Sequence, residues 1–107
     1  MKNITSKDEF EKEVIEKSKE MPVAVDFWAS WCGPCQMFGP IFEKVSKELE
    51  GKAGFVKVSV EEAQEIAQEY EVRSIPAIKV FKDGEVVDEA MGMLPEDALK
   101  NMVEGKI

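Results

Sequence analysis

The chain contains no histidine and a single tyrosine, and its only cysteines, Cys32 and Cys35, stand three residues apart. Without an imidazole, neither a Ser-His-Asp nor a Cys-His nucleophile can be assembled, and imidazole-ligated zinc is excluded. Two cysteines this close cannot supply the distant crosslinks that staple small secreted proteins. Positive charge is also scarce, with 14 Lys and Arg against 22 Asp and Glu, a net charge of −8 at pH 7. That balance argues against nucleic acid or an anionic membrane as partner, since both need a basic face. No apolar run approaches the roughly 20 residues that span a bilayer, and Met1 to Lys7 lacks the apolar core of a signal peptide. The expected location is the cytoplasm, where an isolated thiol pair points to catalysis rather than to a structural staple.

At 107 residues and 44% hydrophobic content, the chain has the size of one compact domain. It should bury roughly 65% of the surface it exposes when unfolded, enough for a core without metal or crosslinks. With no repeat, low-complexity tract or linker, residues 1–107 are expected to form a single domain and to act as a monomer. Ser6 and Glu9 fit a capping box, and Phe10, Val14 and Ile15 give a helix from about Lys7 to Ser18 its buried stripe. Met21-Pro22 breaks the chain before Val23-Ala24-Val25-Asp26-Phe27-Trp28, a near-continuous apolar run that reads as a central strand covered on both faces. After a loop from Ala29 to Gly33, Phe38, Ile41, Phe42, Val45 and Leu49 mark a second helix, with Pro40 inside it as an expected kink. Phe55 to Val60 alternates as a strand, and Ala63, Ile66, Ala67 and Tyr70 mark a third helix. Ala77 to Phe81 and Val86-Val87 flank Asp83-Gly84, a pair suited to a type I′ hairpin. Pro95 suits the first turn of a last helix that buries Ala98, Leu99, Met102 and Val103. The order implies helices layered on both faces of one sheet.

Trp31-Cys32-Gly33-Pro34-Cys35 stands where a buried strand gives way to a helix. Pro34 is tolerated in the first helical turn, where its missing N–H would have no partner. Residues three apart on a helix lie about 5–6 Å from each other, within the Cα separation of a disulfide. Cys32 occupies the helix start, whose free N–H groups and dipole favour a negative charge. An ordinary thiol with a pKa of about 8.5 is only about 3% thiolate at pH 7, so that stabilisation raises the reactive fraction. The natural division has Cys32 as attacking thiolate and Cys35, one turn further in, as resolving thiol. Half of a metal site competes as a reading, but four ligands are normally needed and no further Cys or His exists. An inert structural disulfide also competes, against so small a ring. Redox exchange is the better reading.

Beyond the pair itself, Val25-Asp26-Phe27-Trp28-Ala29, Trp31-Cys32-Gly33-Pro34-Cys35 and Pro40 resemble the active-site block of the thioredoxin family in order and spacing. Tyr70-Glu71-Val72-Arg73-Ser74-Ile75-Pro76, Phe81-Lys82-Asp83-Gly84 and Gly92 are similar to the family's second block. The resemblance runs along essentially the whole chain. It implies an α/β fold with a central mixed five-stranded sheet flanked by four helices, and a protein-disulfide reductase that needs no cofactor or metal. Read alone, Pro76 is an ordinary turn proline; the resemblance makes it cis and sets it beside the cysteines. It also assigns substrate contact to Trp31, Ile75, Pro76 and Gly92, a rim suited to an extended peptide held through backbone hydrogen bonds.

Asp26 either faces solvent from an edge strand or is buried, and burial would raise its pKa and let it accept the Cys35 proton, directly or through a water. Lys57 either lies on a solvated strand face or, as the resemblance implies, sets its ammonium near Asp26. Trp28 reads as core support for the loop, Met37, Met91 and Met93 as ordinary packing, with a border of the docking surface as the second reading for Met37 and Met91, and Glu61-Glu62 as a solvated face. Gln36 in place of a basic residue, Ala77 in place of Thr, and Ser59 and Glu61 in place of Asn or Asp depart from the family pattern. The partners implied are disulfide-containing client proteins and an electron donor such as a flavin-dependent thioredoxin reductase. Two alternatives share the motif. A thiol oxidant or isomerase on the same scaffold would be separated by its potential against glutathione. A non-catalytic binding subunit would keep its biological effect when both cysteines are changed to serine.

Overall fold

Val23, Val25 and Phe27 alternate with Ala24, Asp26 and Trp28 along one strand, and both sets are covered by helices. The computed structural model describes residues 1–107. Its five strands are β1 (Lys2–Ile4), β2 (Val23–Trp28), β3 (Gly54–Ser59), β4 (Ala77–Lys82) and β5 (Glu85–Met91), in the sheet order β1-β3-β2-β4-β5. β1 and β2 run parallel to β3, while β4 is antiparallel to both β2 and β5, which makes the sheet mixed. Against it pack α1 (Lys7–Phe10), α2 (Gly33–Glu48), α3 (Gln64–Glu69) and α4 (Glu96–Glu104). The helical segment opened by α1 continues as a π-helical stretch, Glu11–Glu16, and a 3₁₀ turn, Lys17–Lys19. Five strands and four helices meet the expected architecture.

The core has two layers, one on each face of β2. One face gathers Ile4, Phe10, Val14, Val25, Phe27, Val58, Ile66 and Phe81. The other gathers Ala24, Phe38, Phe42, Val45, Leu49, Ile78, Val80, Leu99 and Val103, largely from α2 and α4. Period two along β2 puts Asp26 on the face of Ala24, beneath α2. The same period in β3 sets Lys57 with Phe55, whose ring meets Phe42 of α2 edge-on at 5.2 Å.

Several local expectations are refined. Ser6 Oγ accepts from the Glu9 N–H at 3.3 Å, but the Glu9 carboxylate reaches back to the N–H and hydroxyl of Thr5, one residue earlier than a capping box requires. α2 runs on through Pro40, which forgoes one ladder bond to the Gln36 carbonyl. Ala98 is exposed; only Leu99 and Val103 of the expected α4 stripe are fully buried. Pro95 caps α4 from just outside rather than opening it. β5 is far longer than Val86-Val87, because a sheet edge tolerates charged residues on its outer face and so hides its alternation. Asp83 and Gly84 both have positive φ, 53° and 82°, as a type I′ turn demands.

Candidate active site

β2 ends beside the N-terminus of α2, and four residues make the connection. The Cys32 N–H bonds to the Ala29 carbonyl at 3.2 Å, closing a turn whose central residues are Ser30 and Trp31. Cys32 then caps α2 with extended backbone angles, and its Sγ accepts a hydrogen bond from the Cys35 N–H at 3.2 Å. A sulfur in that place receives a free amide at the positive end of a 16-residue helix. Gly33 and Pro34 fill the first helical turn, as their chemistry suggests. Cys32 and Cys35 are joined as a disulfide with Cα atoms 5.2 Å apart. Cys32 is 6% exposed and Cys35 4%, so the pair presents little more than one edge to solvent.

A second strand end meets the same point. The Ile75–Pro76 bond is cis, and the Ile75 carbonyl oxygen lies 3.8 Å from Cys32 Sγ. The Pro76 carbonyl accepts from the Gly92 N–H at 2.7 Å. Gly92 has φ +83°, a conformation that L side chains rarely adopt, so glycine is required there by the backbone itself. Ile75, Pro76 and Gly92, distant in sequence from the cysteines, are thus drawn to them. Trp31 stands 71% exposed and Met91 74%, and Met37 and Met93 are exposed too, leaving an apolar rim.

Asp26 lies wholly within the core, and neither carboxylate oxygen has a hydrogen-bond partner. Burial pushes its pKa up from 3.8 to about 7, and the Lys57 ammonium pulls against that rise. Of the two readings of Asp26 the structure selects the buried one. Lys57 is its register partner on β3 and also sets its Nζ 4.3 Å from the centre of the Trp28 ring. The Trp28 indole N–H donates to Asn3 Oδ1 at 3.0 Å, tying the support of the loop to β1. Trp28, Lys57, Cys35, Gln36 and Asn3 line a cleft of about 490 Å³ beside α2. No group of acidic or cysteine side chains is arranged to hold a metal ion.

Two contributions escape sequence reasoning. Asn3 lies in a strand too short to show a pattern. Glu61, read as part of a solvated face, is exposed but accepts two hydrogen bonds from Ser30.

Comparison with known proteins agrees with this geometry. Residues 2–105 match the protein-family model described as Thioredoxin. The chain is 43% identical over 107 residues to a thioredoxin of Rickettsia felis, with all of both chains covered. It is 47% identical over 98 residues to a thioredoxin of Chlorobaculum thiosulfatiphilum, covering 92% of this chain and 85% of that one. Among solved structures, the thioredoxin of Malassezia sympodialis superposes with a TM-score of 0.88 at 37% identity, covering 99% of this chain and 90% of the other.

Proposed function

Because this chain belongs to the thioredoxin family and is a thiol-disulfide oxidoreductase, we propose that it reduces client disulfides through Cys32 as attacking thiolate and Cys35 as resolving thiol. The thiolate of Cys32 attacks one sulfur of a client disulfide, a mixed disulfide forms, and the client's other sulfur leaves as a thiolate. Cys35 gives up its proton and attacks Cys32 Sγ. The internal disulfide closes and the second client thiolate departs, so two electrons pass to the client. The observation that carries this reading is the amide of Cys35 donating to Cys32 Sγ at 3.2 Å. A donor aimed at that sulfur favours its anionic form in the reduced protein.

Asp26 is the proposed acceptor of the Cys35 proton. Its pKa of about 7 lets it take and release a proton near neutral pH. Lys57 moderates that value. Trp31, Ile75, Pro76 and Gly92 form the client-docking rim, where backbone groups rather than charged side chains would hold an extended segment. Family membership brings disulfide substrates and a reductase as partners. The specific donor we propose is a flavin-dependent thioredoxin reductase or similar source of electrons. No helix is long and apolar enough to cross a membrane, and we place the cycle in the cytoplasm, with residues 1–107 acting as one domain and as a monomer.

Changing Cys35→Ser tests the division of roles. The variant should accumulate client proteins as mixed disulfides through Cys32, visible on non-reducing electrophoresis and released by dithiothreitol. Adducts forming on Cys32→Ser instead would reverse the assignment, and adducts on neither variant would remove it.

A further inference from the structure

Ser30 occupies the first central position of the turn between Ala29 and Cys32, and each of its polar groups is bonded to a side chain from another element. Its backbone N–H and its hydroxyl both donate to Glu61 Oε1, each at 2.8 Å. Its carbonyl accepts from Gln36 Nε2, also at 2.8 Å. Glu61 belongs to the turn that follows β3, and Gln36 to the first turn of α2. Neither side chain bonds to a cysteine sulfur. Their common target is Ser30.

The bond from the Cys35 amide to Cys32 Sγ requires Cys32 to hold φ −90° and ψ 111°. Those angles are reached through the exposed pair Ser30 and Trp31, which pack against little of the core. Hydrophobic contact therefore cannot hold the turn at its centre. A carboxylate receiving two short hydrogen bonds can, because bonds to a charged acceptor are about twice as strong as neutral ones. Gln36 ties the other side of the same residue to the helix that Cys32 caps. We infer that Glu61 and Gln36 are positioning residues, which clamp Ser30 so that the Cys32 sulfur meets the Cys35 amide. The inference rests on Cys32 as the attacking thiolate.

The test compares reduced wild-type protein with Glu61→Ala, Glu61→Gln and Gln36→Ala. Iodoacetamide alkylation is followed against pH, the labelled cysteine is located by mass spectrometry, and thermal unfolding is recorded in parallel. Either alanine variant should move the alkylation midpoint upward and slow Cys32 labelling at pH 7 about threefold, the change that half a pH unit produces. Glu61→Gln keeps an oxygen acceptor but loses its charge, and should fall between the wild type and Glu61→Ala. Should Glu61→Ala unfold early, Ser30→Ala, which removes only the hydroxyl arm, should still move the midpoint in the same direction. Midpoints unmoved in both alanine variants overturn the clamp while leaving Cys32 as nucleophile, and Glu61→Gln as slow as Glu61→Ala overturns the hydrogen-bonding account of it. Label on Cys35 rather than Cys32 in the wild-type chain overturns the underlying reading instead.

Discussion

A carboxylic acid without a hydrogen-bond partner inside a β-strand is costly to ionise, and Asp26 is such a group. Its ordinary pKa of 3.8 applies in the unfolded chain, against about 7 in the fold. Between those values the folded protein keeps a proton that the unfolded chain releases. The contribution of Asp26 to stability is therefore most favourable below about pH 4, falls as pH rises toward 7, and levels off above it. The whole change is on the order of 4 kcal/mol, a large share of the stability of a small domain. Asp26→Asn removes the titration. Urea unfolding should show the variant gaining on the wild type by several kcal/mol between pH 4 and pH 8. Client reduction by the variant should at the same time slow near neutral pH and lose its inflection near pH 7. Parallel stability profiles for the two proteins would show that Asp26 is not the group responsible. The cysteine pair was legible because its chemistry is local, two sulfurs one helical turn apart. Asp26 was legible only as a choice, since burial depends on what covers the strand, and α2 covers it.

Among the elements, the short helix α3 leads the chain toward Ile75 and Pro76, and its ending is unusual. The Val72 N–H bonds to the Ala67 carbonyl at 2.9 Å and the Glu71 N–H to the Gln68 carbonyl at 3.1 Å, the paired bonds of a Schellman motif. The left-handed position in that motif is normally glycine, yet Glu71 fills it with φ 53°. A non-glycine residue pays roughly 1–2 kcal/mol there, partly offset because glycine loses more entropy on folding. Glu71→Gly should thus raise stability by up to about 1 kcal/mol, read as a higher urea midpoint at unchanged slope; a lower midpoint would show the strain to be relieved elsewhere. A second junction ties the first helical segment to the hairpin. Ser18 Oγ donates to the Ile15 carbonyl at 2.7 Å and accepts from the Gly84 N–H at 2.9 Å, while the Ser18 carbonyl takes the Asp83 N–H at 2.8 Å. The hairpin turn was readable from Asp83-Gly84 because the turn type dictates the residues. Its docking to Ser18 was not, and neither was β1, whose three residues bury only Ile4. Helices and central strands announce themselves through periodic apolar residues, whereas polar links such as Asn3 to Trp28 or Glu61 to Ser30 exist only once the sheet has brought distant segments together.

At the scale of the whole molecule, the surface divides its work between near and far fields. Close to the disulfide, Trp31, Met37, Met91 and Met93 stand exposed, with the Glu61 carboxylate on Ser30 as a nearby charge. Ion pairs such as Lys2–Glu13, Lys44–Glu96 and Lys100–Glu48 link neighbouring elements, but exposed pairs of this kind each contribute only about 0–1 kcal/mol. They leave the net charge of −8 in place. The molecule measures 31 × 28 × 20 Å. At about 0.01 M salt the screening length is roughly 30 Å, so the entire charge acts on an approaching client, whereas at about 1 M it is roughly 3 Å and only contacts matter. Two disulfide peptides alike in sequence around the cysteines, one flanked by lysines and the other by glutamates, separate the two fields. At about 0.01 M salt the cationic peptide should be reduced with a kcat/KM at least about tenfold higher, the lower end of electrostatic steering. The two rates should converge to within about twofold near 1 M, where screening confines charge effects to direct contacts. A difference that persists at high salt would place charge selection in the docking contacts, and equal rates at low salt would mean that the excess acidic residues face away from the path of approach.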